Sequence, residues 1–422
     1  MNTVPRSGPL PAIAHKPITH RYQQVRDLTI GLCVTLTSED MTVQSMPDTS
    51  PAKWHLAHSS WFFENFLLVP HLKGYRPFDK QFNYLFNSYY LTVGSCMHPR
   101  PERGLLSRPG VDEIRRYREH VDEHMHRLLE AHSGEPELIF LTTLGLNHEQ
   151  QHQELLLMDI KHLFSRNPRK PAWRDLPAPE FALTLPLKYI SRPEGLSAIG
   201  HAGNGFAFDN ETPRHRVFIQ AYSLANRLTT NGEDREFIRA GGYTTPDLWL
   251  SDGWTVLQRY GWNRPLYWNQ DMTAEFTLGG ERNLDPHAPV CHLSYYEADA
   301  FARWAGARLL TEMEWESYAA DQLVEGNLLE SFGFHPAPAG AGANQLFGDV
   351  WEWTASSYAP YPGFKPLAGS LGEYNGKFMV NQMVLRGGSC VTPREHVRAS
   401  YRNFFYPQQR WQFAGLRLAK AA

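Results

Sequence analysis

At 422 residues the chain exceeds what one hydrophobic core usually serves, so at least two domains are expected. A net charge of -3 with a pI near 6.7 offers no basic field to nucleic acid or an acidic membrane, and no run approaches the ~18 apolar residues of a membrane span, which leaves small molecules as the expected partners. Cys33, Cys96, Cys291 and Cys390 stand far apart with no Cys-x-x-Cys, and the amino terminus lacks the apolar core of a secretion signal, so a cytoplasmic protein with free thiols is expected.

Residues 1–18 are proline-rich and aperiodic and read as an arm over the surface. A helical pattern runs from His20 to about Leu36. Ser50 followed by Pro51 reads as an N-cap and first helical residue, opening a second helix through Trp54, His58, Trp61, Asn65 and Phe66. His58 lies on its apolar stripe, whereas His55 lies off it and competes less well as a metal ligand. Residues 70–110 form a long connection carrying Tyr89, Tyr90, Cys96, Arg100 and Arg103, and a loop of that length is more often functional than idle. Val111, Ile114, Tyr117, Val121, Met125 and Leu128 define a third helix ending near Gly134, and Leu138 to Phe164 define a fourth. Residues 19–168 therefore read as an all-α four-helix bundle, whose core is a common place for a metal site.

The fourth helix carries the densest chemistry, in Leu144-Gly-Leu-Asn-His-Glu-Gln-Gln-His-Gln-Glu. Leu141, Leu144, His148, His152 and Leu155 share one face, so two imidazoles occupy core positions about 6 Å apart and can share one ion. The plainer alternative is a buried helix whose histidines are satisfied by polar neighbours. Glu154 is about 200° around from His152, too far for the same ion, and reads as a partner to another helix or a support for the ligands.

Residues 169–185 read as a linker, and 186–422 change texture to short strands, glycines and tryptophans, with helical pieces only at about 230–240 and 295–320: an irregular α+β domain. No repeat of fixed period is present.

Taken together, these segments resemble the nonheme iron sulfoxide synthases of ergothioneine biosynthesis, which join a DinB-like bundle to a domain of the formylglycine-generating-enzyme and C-type-lectin-like kind. The resemblance rests on Trp54-His-Leu-Ala-His58, on His148, His152 and Glu154, and on four later segments. These are Arg308-Leu-Leu-Thr-Glu-Met-Glu-Trp-Glu, Gly348-Asp-Val-Trp-Glu-Trp-Thr, Val384-Leu-Arg-Gly-Gly-Ser and Gly415-Leu-Arg-Leu. The sulfatase-modifying relatives use two cysteines just after Arg-Gly-Gly-Ser; here Cys390 follows but no second one does, so formylglycine formation is not expected. Asn87-Ser-Tyr-Tyr and Arg402-Asn-Phe-Phe point to the branch that uses free cysteine.

The resemblance implies Fe(II) held by His58, His148 and His152, with positions open for a thiolate and O2. It implies Tyr89 or Tyr90 as proton or hydrogen donor. Hercynine (Nα-trimethylhistidine) would be met by the rings of Phe404 and Phe405 and by the amides of Gln151 and Asn403, and the donor's carboxylate by Arg100 and Arg103. The expected reaction forms a carbon–sulfur bond at the imidazole C2 and oxidises it to a sulfoxide. Selenoneine synthases, which take a selenosugar, resemble the same branch. Two other classes stay open: a zinc-dependent DinB-type thiol transferase, and a non-enzymatic binding module.

Overall fold

The computed structural model describes residues 17–94, 96–132, 134–177, 182–203, 205–340 and 344–422. Most of the expected arm, residues 1–16, lies outside them. The N-terminal half is built from α1 (Ile18–Cys33), α2 (Ala52–Phe63), α3 (Val111–Ala131) and α4 (Pro136–Arg166). All twelve residues of α2 are buried, as a helix enclosed by others requires: α2 packs on α3 and α4, and α1 packs on α4. The expected Ser50 cap does not form. Pro51 occupies the cap position, while the Ser50 amide donates to Asp159 at 2.8 Å and its hydroxyl accepts from Arg103 at 2.9 Å. Gly145 lets α4 approach α2 closely, because a Cβ there would lie 2.5 Å from the Phe63 ring.

Three faces of α4 do three things, as its 100° step per residue allows. Glu149 and Gln153 face α1: Glu149 is held by Arg26 at 2.9 Å, by Arg118, and by Thr29 at 2.6 Å, and Gln153 donates to the Val25 carbonyl and to Thr29. His148, His152 and Asp159 turn toward a cavity. Asn147, Gln151, Glu154 and Lys161 face the C-terminal half, where each finds a partner: His396 at 3.0 Å, Tyr401 at 2.7 Å, Trp351 at 2.5 Å and His292 at 2.7 Å.

The C-terminal half is the α+β domain expected, with two four-stranded sheets. One runs in the order Tyr189–Arg192, Tyr222–Ala225, Leu418–Ala421, Arg308–Leu309, and the other Asn403–Phe405, Met383–Arg386, Trp351–Ser357, Ala414–Gly415. Helices Asn231–Arg239, Tyr295–Trp304 and Glu312–Ala319 each start on a capping box, from Thr230, Ser294 and Thr311 with a Glu three residues on. A fourth, Ser251–Tyr260, is one the sequence reading lacked, and the expected 295–320 helix is broken by Arg308–Leu309. The charged residues of the recognised segments form buried pairs: Arg386 with Glu312 and Glu316, Arg402 with Glu312, and Arg417 with Glu352. The connecting segment is pinned to both halves, since Trp173 donates through its indole to Leu32 and through its amide to Leu278. Among the described residues no helix is long and apolar enough to cross a membrane.

Candidate metal centre and its cavity

His58 from α2 and His148 and His152 from α4 bring their ring nitrogens within 4.8 Å of one another, and among the described residues this is the cluster of such side chains that could hold an ion. His58 Nε2 lies 3.2 Å from His148 Nε2. Trp54 and Trp61 stack on either side of His58 at 4.6 and 5.6 Å, so its ring cannot swing away. Its Nδ1 sits 2.6 Å from the Phe86 carbonyl, which only accepts; Nδ1 therefore carries the proton, and Nε2 presents a lone pair inward. Burial holds all three imidazoles neutral at pH 7, His148 down to about 3 and the other two well below the usual histidine range. Neutral nitrogen donors converging at one point fit a divalent cation.

His55, the weaker candidate, is not part of the triad: its Nδ1 is 2.9 Å from His152 Nδ1 and its Nε2 is 3.0 Å from Asp159. Glu154 is also outside it. Rather than another helix of the bundle, its partners are in the C-terminal half, where Trp351, Ser389 and Thr392 all donate to its carboxylate.

His148 and His152 line a cavity of about 410 Å³ between the two halves, with His58 buried behind them, and Tyr89, Arg100, Arg103, Gln151, Asn403, Phe404 and Phe405 all line it. Tyr90 does not: it is fully buried behind Tyr89, against Trp61 and Phe66 at 5.5 and 5.2 Å. Phe404 and Phe405, adjacent on a strand, meet different aromatic neighbours at the cavity. Phe404 stacks on Tyr358 at 4.0 Å with Phe378 beyond it at 6.1 Å, and Phe405 meets Trp411 edge-on at 5.7 Å.

Arg103 is 2% exposed and stacks over Trp54 at 3.4 Å. It bonds the hydroxyls of Ser50 and Ser88, makes no ion pair among the described residues, and leaves Nε without a partner. Burial lowers its pKa. A desolvated guanidinium with no paired carboxylate, which Asp159 reaches only as a more distant charge, suits an anionic ligand. Arg100 is exposed at the rim.

Two tyrosines that the sequence reading missed complete the wall. Tyr374 meets His148 edge-on at 5.5 Å and donates its hydroxyl to Gln151 Oε1, while Gln151 Nε2 donates to Tyr401. Neither carries a local signal, since each acts on a residue more than 200 positions away.

Residues 21–158 match the DinB superfamily, and residues 188–331 and 325–422 match the sulfatase-modifying factor enzyme 1-like domain. The chain is thus a two-domain protein whose imidazole triad is carried by the DinB-like bundle and whose cavity is lined by both domains. The hercynine oxygenase of Mycolicibacterium thermoresistibile is 32% identical over 97% of this chain and 96% of its own length. That of Mycobacterium tuberculosis is 34% identical over 66% and 71%. Ergothioneine biosynthesis protein 1 of Schizosaccharomyces pombe is 27% identical over 60% of this chain and 34% of its own. The chain belongs to the hercynine oxygenase family.

Proposed function

We propose that the chain is an Fe(II)- and O2-dependent synthase that joins the sulfur of cysteine to the imidazole C2 of hercynine, giving hercynylcysteine sulfoxide on the route to ergothioneine. The observation that carries this reading is the convergence of three neutral imidazoles at an aromatic-walled cavity large enough for two small substrates. His58, His148 and His152 would hold the metal, which supplies open positions where a thiolate and dioxygen meet.

The chain's own residues then orient the substrates and move protons. Arg103, with Arg100 at the rim, takes the donor's carboxylate in the absence of any protein carboxylate paired to it. Gln151 has its amide orientation fixed by Tyr374 and Tyr401, and with Asn403 it addresses the imidazole and carboxylate of hercynine. The trimethylammonium group cannot donate a hydrogen bond and is met by ring faces, Phe404 with Phe378. Burial raises the Tyr89 phenol above its ordinary range, so it stays protonated, with its hydroxyl 3.5 Å from that of Tyr90, as a donor at the cavity wall. Of the tyrosine pair, Tyr89 rather than Tyr90 takes this role.

A selenosugar in place of cysteine would use the same machinery and yield the selenium product. The deciding experiment is to incubate the purified protein with Fe(II), O2, hercynine and either donor and to weigh the products. A hercynine adduct of cysteine carrying one added oxygen is expected. Zinc bound as purified, with turnover surviving strict anaerobiosis, would replace this reading with the thiol transferase.

A further inference from the structure

The three imidazoles are not held alike. His58 Nδ1 meets a backbone carbonyl, and His148 Nδ1 is buried with no hydrogen-bond partner among the described residues. His152 Nδ1 instead opens a chain of side chains through His55 to Asp159. Asp159 Oδ2 also accepts from the Ser50 amide at 2.8 Å, and Oδ1 accepts from the Trp411 indole at 3.1 Å. All five residues are less than 10% exposed.

We propose that His55 and Asp159 are positioning residues that fix the tautomer of His152, and that Trp411 ties this pair to the C-terminal half. The proposal rests on the metal site described above. A carboxylate has no proton to give, so each group on Asp159 donates to it, His55 Nε2–H included. With Nε2–H committed to Asp159, His55 presents Nδ1 to His152 as the acceptor. That atom is 2.9 Å from His152 Nδ1, a distance two lone pairs do not tolerate, so His152 Nδ1 bears the proton. His152 Nε2 is then left bare, free to serve as its ligand atom in the triad. A ligand whose far N–H is committed to a carboxylate, directly or through another imidazole, is both better aimed and more basic.

The arrangement draws on segments far apart in the chain: Ser50 ahead of α2, His55 on α2, Asp159 on α4, and Trp411 from the last thirteenth part of the sequence. Removing the charge of Asp159 undoes it. In D159N the new amide can donate to His55 Nε2, which moves the proton to His55 Nδ1 and turns it into a donor. His152 Nδ1 must then accept, and its proton lands on Nε2, where the ion would bind.

The test uses the full-length protein and Co(II) as probe, reading affinity by competition with a chromophoric chelator and geometry from the visible absorption bands. H55F and D159N are expected to bind Co(II) about 10- to 100-fold more weakly, with altered bands. H55Q, whose amide oxygen still accepts from His152, should recover most of the affinity. W411F leaves the triad untouched and should also weaken binding, and it decides the matter if H55F and D159N do not fold. Wild-type affinity and bands in H55F and D159N, or in W411F when it alone can be measured, would overturn the proposal while leaving the metal site standing. H148A binding Co(II) as tightly as wild type would remove the triad as the site, and the pair's role with it.

Discussion

Tyr89 and Tyr90 are neighbours in sequence with stacked rings 4.6 Å apart, yet one phenol faces the cavity and the other is sealed behind it. Chemistry assigned to the pair should therefore divide unequally. Tyr89→Phe is expected to lower kcat by about 10²- to 10⁴-fold while leaving Co(II) affinity at the wild-type value. Tyr90→Phe should change kcat far less, and single-turnover rates of the two variants measure the difference. At this scale much was legible. Two histidines four apart on an apolar stripe, a third on another, and two arginines three apart are local patterns, and the structure brings them around one cavity. What escaped was the direction of side chains on a strand and in a loop, which depends on the fold around them: Phe404 and Phe405 part company, and Tyr90 turns inward.

At the scale of the element, α2 and α4 set the triad by how near they lie. Gly145 is one turn before His148, and a methyl there would press on Phe63, which sits five residues after His58 on the facing helix. Gly145→Ala is expected to cost about 1–3 kcal/mol of stability in urea unfolding, and to weaken metal binding as the helices part. Glu149, next to His148, anchors the opposite face of α4. Burial raises its pKa, but Arg118 and Arg26 outweigh that and hold it down to about 2. The unfolded chain, with an ordinary carboxyl near 4.5, takes up the proton first. The stabilisation is therefore complete above about pH 4.5 and is lost as pH falls toward 2. Glu149→Gln should be less stable than wild type by about 3–5 kcal/mol at pH 7, since it leaves two buried cations under-compensated. Urea titrations at pH 6, 4 and 3 should show that gap narrowing as the carboxyl of the unfolded wild-type chain takes up its proton. The helices themselves were readable because their periodicity is local. The Ser50 cap was misread because its polar atoms are spent on Asp159 and Arg103, residues no local pattern connects to it.

For the whole molecule, one buried carboxylate joins the halves. Glu154 on α4 receives an indole N–H and two hydroxyls from the far side of the chain, and Glu154→Ala would strand all three. A loss of about 3–5 kcal/mol is expected. In calorimetry the wild type should unfold in one transition, and the variant should broaden it or split it in two. The domain classes could be read from texture and from the recognised segments, but Tyr374, Tyr401 and Trp411 could not. Each meets its partner across more than 200 residues, and that proximity exists only once the two halves are docked.

Because one helix presents its ligands, its anchor and its docking contacts at fixed angles, it works like a key with three cut edges. Exchanging the C-terminal half for that of another protein would succeed only if the incoming surface offered complements to Asn147, Gln151, Glu154 and Lys161. Inserting a single residue between His152 and Lys161 would rotate the later contacts by about 100° and misalign the halves even with every side chain retained. Diversification of substrate choice in this architecture is thereby steered away from α4 and toward the loops that border the cavity, where Tyr89 and Tyr374 reside.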